Sequence, residues 1–281
     1  MTISAKTVME LRNATGACMM DCKRALEETG GDLELAKDSL RKKGIAIAAK
    51  KSGRETLEGG IGLAISEDGL AGAMVHLACE TDFVSRNSQF RELLDKLTAQ
   101  VLEQGEEKLP EQKLPGGKTV GEQITEAVAA LGENLNLVDA CRLTLTGGGL
   151  LGGYVHSNYR IGVLVQLRAQ KRGDPLTALA RDLAMHVAAS QVAAVSAQGI
   201  DPAVIEKERE IYSAQAEDSG KPAEIAAKMV EGRLKKFVKE VSLVDQPFVK
   251  DQGKSVQAVV AESAAALGTE IEIERFLKFQ F

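Results

Sequence analysis

The chain has 281 residues, 44% hydrophobic and 27% charged, with a net charge of −5, enough for one large domain or two modest ones around a real core. No run approaches the roughly 18 apolar residues of a membrane span, no basic-then-apolar signal opens the chain, and an acidic balance argues against general nucleic-acid binding. Four Cys in this length make no disulfide framework, so a reducing cytoplasm is expected.

Charge divides the chain first. Residues 1–54 hold eleven Lys/Arg against seven Asp/Glu, a net of +4 that leaves −9 on the remainder. This predicts a small basic module on an acidic body, with a boundary near residue 54. The module reads as three helices. Ser4 is placed to cap the first, Val8 and Leu11 give its apolar stripe, and Gly16 ends it. The second spans about 17–29, with Met19, Cys22, Ala25 and Leu26 inward, and ends at Gly30-Gly31. Asp32 caps the third, Leu33, Ala36 and Leu40 recur at helical spacing, and Gly44 closes it. Residues 45–54 read as a basic linker.

Residues 59–80 change period. Two apolar runs around Asp68-Gly69 predict a hairpin. A helix then starts at Asn87 or Ser88, with Phe90, Leu93, Leu94, Leu97 and Val101 on one face. Residues 103–121 are polar and hold Pro110 and Pro115, a loop. Another helix follows over 122–131. Three strands are expected at 141–146, 150–156 and 161–168, then a helix over 176–190. A hairpin followed by a helix thus occurs twice, which suggests two related α+β halves. From 202 to 237 two charged helical segments flank Asp218-Ser219-Gly220-Lys221-Pro222, a helix-hairpin pattern. Val204, Ile211 and Tyr212 on one arm and Ile225, Met229 and Val230 on the other supply a narrow seam, the mark of an antiparallel coiled-coil arm. A helix over 255–267 ending in Gly268 and a last strand complete the chain.

Motifs for catalysis fail on context. Residues 147–152 satisfy G-x-G-x-x-G, but a dinucleotide site needs a helix directly afterwards and YVHSNYRIGVLVQL is strand-like. Gly117-Lys118-Thr119 resembles the end of a phosphate loop, yet Gln112 stands where its glycine belongs. His76 and Cys79 lack partners for a tetrahedral metal site, and Cys18 and Cys22 read as thiols within the helical module. No nucleophile, base and orienting group assemble. Neither enzyme chemistry, a metal nor a cofactor is expected.

One short segment stands out: Glu80-Thr81-Asp82-Phe83-Val84-Ser85-Arg86-Asn87, a strand-to-helix turn. With seven Phe, three Tyr and no Trp in the chain, an outward Phe83 would be a marked anchor. Position alone places a Phe in the core.

The run Leu11-Arg12-x-x-Thr15-Gly16-Ala17-x-Met19-Met20-Asp21-Cys22-Lys23-x-Ala25-Leu26, followed by Gly31-Asp32, resembles the N-terminal signature of the bacterial elongation factor Ts family. Glu80-Thr81-Asp82-Phe83-Val84 resembles that family's second signature. Gly132-Glu133-Asn134, His186-Val187-Ala188-Ala189-Ser190, Lys221-Pro222, Gly232-Arg233, Lys235-Lys236-Phe237, Val241-Ser242-Leu243 and Gln246-Pro247-Phe248-Val249 agree in the same order. Asn136-Leu137-Val138-Asp139 departs from the pattern by lacking basic residues. Family members often carry a further module after the last core strand, where this sequence ends at Phe281.

The resemblance implies an α+β fold with antiparallel sheets. A three-helix module like a ubiquitin-associated (UBA-like) domain occupies 1–54, linker included. The core has two parts, 55–140, and 141–201 with 238–281, and a helical hairpin over 202–237 is inserted as a coiled-coil arm. It implies a guanine-nucleotide exchange factor of translation elongation, acting by binding in the cytoplasm. The partner would be elongation factor Tu, GDP-bound or nucleotide-free, without direct contact to nucleic acid or membrane. Thr81, Asp82, Phe83 and Val84 would disturb the Mg²⁺ and phosphate-binding region of that GTPase. Arg12, Met19, Met20, Lys23, Gly132, His186, Val241 and Pro247 would bind it elsewhere. Two other readings compete: a UBA-like adaptor without exchange activity, and a nucleotide-binding enzyme using the 147–152 loop.

Overall fold

The structure is a computed structural model that describes residues 3–218 and 222–281. Three helices open it: α1 (Ala5–Thr15), α2 (Met19–Glu28) and α3 (Leu33–Lys51). Ser4 accepts a hydrogen bond from the Thr7 amide, and Asp32 accepts from Glu34 and Leu35, so both expected caps satisfy amides that a helix start leaves free. Gly16 ends α1 at φ 69°, a left-handed angle that favours glycine. Val8, Leu11, Cys22, Ala25, Leu26 and Ala36 form the module's small core.

Two expectations in this module are corrected. Met19 does not face inward: α2 starts at Met19, and while Asp21 and Cys22 of its first turn face the other helices, Met19 lies on the outer side and is 36% exposed. Gly44 does not end α3, and 45–54 is not a loose linker. The helix continues to Lys51 because Gly44 is buried against the next layer, where an added Cβ would already touch Ala129 at 3.4 Å. Close packing here outweighs the roughly 1 kcal/mol that a mid-helix glycine costs.

The body is four layers deep. β1 (Glu58–Ile65), β2 (Ala71–Cys79) and β3 (Leu135–Thr144) make one antiparallel sheet in the order β1-β2-β3. A four-residue helix α4 (Asp82–Ser85) leads into α5 (Ser88–Gln104), and α6 (Val120–Leu131) follows a loop. Along β2, Ala73, Val75, Leu77 and Cys79 point to these helices, where Phe90, Leu94, Leu97, Val101, Val120 and Val128 close the core. Met74, of opposite parity, points to the second sheet.

That sheet joins β4 (Gly149–Val155), β5 (Ile161–Ala169) and β8 (Ile271–Gln280) in the order β4-β5-β8. Val163, Val165 and Leu167 face α7 (Asp174–Ala189) and α10 (Val256–Leu267), while Leu164 faces inward. Ile61, Met74, Leu143, Leu151 and Leu164 fill the space between the sheets. The expected duplication is visible in detail. Each central strand shifts register against its outer neighbour, between His76 and Leu77 and between Gln166 and Leu167. The extra residues opposite are Val138 and Glu274.

The break expected after residue 140 falls inside β3, which pairs with β2 from Ala71↔Thr144 to Cys79↔Leu135. The glycine run that follows is a connection between sheets. Gly152 lies so close to α7 that an added Cβ would stand 2.6 Å from the Ala180 carbonyl carbon.

Outside the body run α8 (Pro202–Glu217) and α9 (Ala223–Val241), packed on each other. Their seam is Ile205, Tyr212 and Ala216 against Ala226, Val230 and Leu234. Val204, Ile211 and Ile225, expected in it, are exposed. The register starts at Pro202, which puts Ile205 in phase with Tyr212 seven residues on. α9 also runs past 237 to Val241. Ser219, Gly220 and Lys221 of the expected connection lie outside the described residues. A short pair, β6 (Pro247–Phe248) and β7 (Asp251–Ser255), leads into α10. Among the described residues no helix is long and apolar enough to cross a membrane.

Candidate functional site

The strand β2 ends at Cys79 and the chain turns sharply into α4. Thr81 caps that turn, its hydroxyl accepting from the Val84 amide. Val84 and Ser85 are buried and root the turn in the core, while Phe83 between them and solvent is 83% exposed. Asp82 is half-buried and pairs with Arg86 at 2.9 Å across one helical turn. A fully exposed Phe on a rooted turn cannot be explained by core packing.

A polar clasp holds the turn from behind. The Glu133 carboxylate accepts from the Thr81 amide at 3.0 Å and from its hydroxyl at 2.6 Å. In return the Glu80 carboxylate accepts from the Asn134 amide at 2.6 Å, which, with Arg54 beside it, holds its pKa below the usual carboxylate range. The Cys79 thiol donates to the Thr81 carbonyl, and burial pushes that thiol up to about 12. It is a buried hydrogen-bond donor and not a nucleophile at neutral pH.

The same Gly132-Glu133-Asn134 block holds the helical module. Gly132 ends α6 at φ 79°, and its carbonyl accepts from Lys51. The Asn134 side chain donates to the Arg54 carbonyl at 2.9 Å. The sequence pattern includes the whole block but gives a partner-binding role to Gly132 alone and none to Glu133 and Asn134, whose side chains hold the turn and the module. The available signal is two polar side chains between a helix-ending glycine and a buried strand.

A second group forms around His186. This side chain is 1% exposed, so its expected contact with a partner is not open to it. Its Nδ1 accepts from the Val249 amide at 3.1 Å, which assigns the proton to Nε2, donated to Gln246 Oε1 at 2.8 Å. Burial lowers its pKa. Gln246 in turn donates to the carbonyls of Gln191 and Glu240, tying α7 to the end of α9. His186 therefore positions the 246–249 segment. Pro247 on that segment is exposed, and Val241 at the end of α9 is half-buried. The third group lies on the helical module: Arg12, Met20 and Lys23 are exposed, Met20 by 61%, with Met19 beside them. Lys23 pairs with Glu27 one turn on.

The motifs set aside on sequence have structural uses. Thr119 of the Gly117-Lys118-Thr119 run forms a capping box with Glu122 at the start of α6. His76 packs edge-on to Phe281, with ring centroids 4.3 Å apart. Among the described residues no cluster of His, Cys, Asp and Glu is placed to hold a metal.

The Elongation factor TS family model matches residues 80–281. A relative from Aquifex aeolicus named Elongation factor Ts is 45% identical over 100% of this chain and 98% of its own length. Relatives of the same name from Nitratidesulfovibrio vulgaris and Clostridium novyi are 42% and 43% identical, covering 100% and 99% of this chain and 96% and 92% of their own. With a match of this extent, including the turn that projects Phe83 and the clasp behind it, the chain belongs to the elongation factor Ts family.

Proposed function

We propose that this protein is a guanine-nucleotide exchange factor that binds elongation factor Tu in the cytoplasm and speeds release of GDP. The observation that carries the reading is Phe83, standing in solvent on a turn that is anchored by Val84 and clasped by Glu133. Burying such a ring in a partner gains about 1.5–3 kcal/mol. Seated between helices of the GTPase near its nucleotide site, the ring couples that gain to movement of packed elements. Asp82 lies beside it, and its exposed pairing with Arg86 is weak enough to exchange for groups around the partner's Mg²⁺. No bond is made or broken. A protein that binds the nucleotide-free GTPase better than the GDP-bound one must weaken GDP binding by the same factor.

The remaining parts divide the work. The UBA-like helical module, through residue 54, offers Arg12, Met19, Met20 and Lys23 to the GTPase, Met suiting an adaptable contact. The second half of the core offers Pro247 and the end of α9 near Val241, with His186 holding them in place. The boundary between core halves falls between β3 and β4. The α8–α9 pair is read as a coiled-coil arm.

The test is stopped-flow release of labelled GDP from elongation factor Tu. Release accelerated by the chain and saturating with its concentration supports the reading. Complex formation without acceleration would make the protein an adaptor instead.

A further inference from the structure

A cleft of roughly 600 Å³ opens beside the Phe83 turn, between the two halves of the core. Asp82 and Arg86 line one side, Glu58 and Arg91 the floor, and Tyr159 and Arg160 from the β4–β5 turn the other side. Three arginines thus meet two carboxylates. Asp82 is paired with Arg86, and Glu58 with Arg160. Arg91 is left over: it forms no ion pair with any described carboxylate, and its Nη1 is buried without a hydrogen bond. Its guanidinium lies 3.7 Å from the centre of the Tyr159 ring, and Tyr159 adopts φ 61°, a left-handed angle unusual for an aromatic residue. The turn that carries Tyr159 is fixed by bonds from the Tyr159 amide to the His156 carbonyl and from the Ile61 amide to the Tyr159 carbonyl. A planar cation is therefore held on a rigid aromatic face, partly stripped of water and with no carboxylate in contact, the exposed Asp95 one helical turn on acting on it only from a distance.

We propose that this cleft is an anion subsite in which Arg91 receives one carboxylate side chain of the GTPase partner. The inference rests on the exchange reading above. Two features select a carboxylate. Among its lining residues the cleft has one positive charge without a contact ion pair, which a single negative charge balances, whereas the second charge of a phosphate dianion would be left facing the lining carboxylates Asp82 and Glu58. A guanidinium also presents a donor fork that fits a carboxylate. One feature selects the partner as its source. Asp82 and Arg86 belong to the turn that carries Phe83, so any surface that covers Phe83 reaches the cleft mouth.

The full-length chain and its Arg91→Met and Arg91→Lys variants are to be compared for binding to elongation factor Tu at low and high salt, after thermal melts establish folding. Arg91→Met should weaken binding roughly ten- to a hundredfold at low salt, as loss of a charge-assisted hydrogen bond does. Arg91→Lys should recover part of this, and salt should erase the differences. A scan of Asp→Asn and Glu→Gln on the partner should find one position whose effect disappears in the Arg91→Met background. Unchanged affinity of a folded Arg91→Met chain overturns the proposal, as does a lowered melting temperature with normal binding. Tyr fluorescence gives the other arm: inorganic phosphate or GDP binding tightly to the free chain would reassign the cleft to a free anion. Complex formation without faster GDP release would defeat the exchange reading alone and leave the affinity comparison to decide the cleft.

Discussion

The clasp behind the Phe83 turn makes a quantitative prediction. In Glu133→Ala the Thr81 amide and hydroxyl lose the carboxylate that accepts from them at 3.0 and 2.6 Å. Thr81 is only half-buried, so water replaces part of the loss. With charge-assisted bonds at about 1.5–3 kcal/mol each, a net cost near the low end, about 2 kcal/mol, is expected. For a chain of this size that lowers the melting temperature by about 4–8 °C. The larger consequence is for binding. Asp82 and Phe83 lose their fixed backbone and must be ordered again on the partner, at about 1–2 kcal/mol per residue. Because Val84 still anchors the turn, about 2 kcal/mol in all is expected, near thirtyfold in affinity. In a GDP-release titration the half-saturating concentration should rise by that factor while the rate at saturation stays close to normal. Glu133→Gln, which keeps one acceptor oxygen, should fall between. The cycle with Phe83→Ala is decisive: once the ring is gone, Glu133→Ala should cost little more. An undiminished thirtyfold loss in that background would refute the claim that the clasp acts through Phe83.

Phe83→Ala itself should leave the melting temperature nearly unchanged, because an 83% exposed ring contributes little to folding, yet lower the efficiency of stimulated GDP release about ten- to a hundredfold. Gly152→Ala should destabilise the fold by at least about 2 kcal/mol, since its Cβ would press on the Ala180 backbone, which cannot step aside, a shift that calorimetry would register. His76 and His186 both have pKa values lowered by burial from the ordinary 6.5. Between their folded and unfolded values the unfolded chain binds more protons, so stability is complete above pH 6.5 and declines as pH falls below it. His186→Asn should be less stable throughout and show a shallower decline in denaturant titrations across that range.

Local chemistry was legible in the sequence and long-range pairing was not. Ser4, Asp32, Asn87, Gly132 and Gly268 cap or end helices through groups within a few residues, so their roles can be read from neighbours alone. The assignment of β3 to the first sheet depends on β2, some sixty residues earlier, and nothing within the strand announces it. Gly44 reads as a helix end because its partner, Ala129, is more distant still in the sequence. At the site, signature residues pointed to the Phe83 turn, but Phe83's exposure and His186's burial depend on tertiary packing. Arg91 had no signal at all: an arginine on a helix becomes a half-buried cation stacked on a ring only once Tyr159, from a distant turn, is folded over it.

The glycines between the two sheets set a distance as well as a fit. Gly162 lies against Ile61, and Gly72 against Leu164, each so close that an added Cβ would fall within 3.0 Å of the opposing side chain. The two sheets therefore behave as one ruler. Phe83 belongs to the layer on one side of it and the 246–249 segment to the layer on the other. Their separation is written by residues that touch neither, and a partner gripping both ends reads the thickness of this seam.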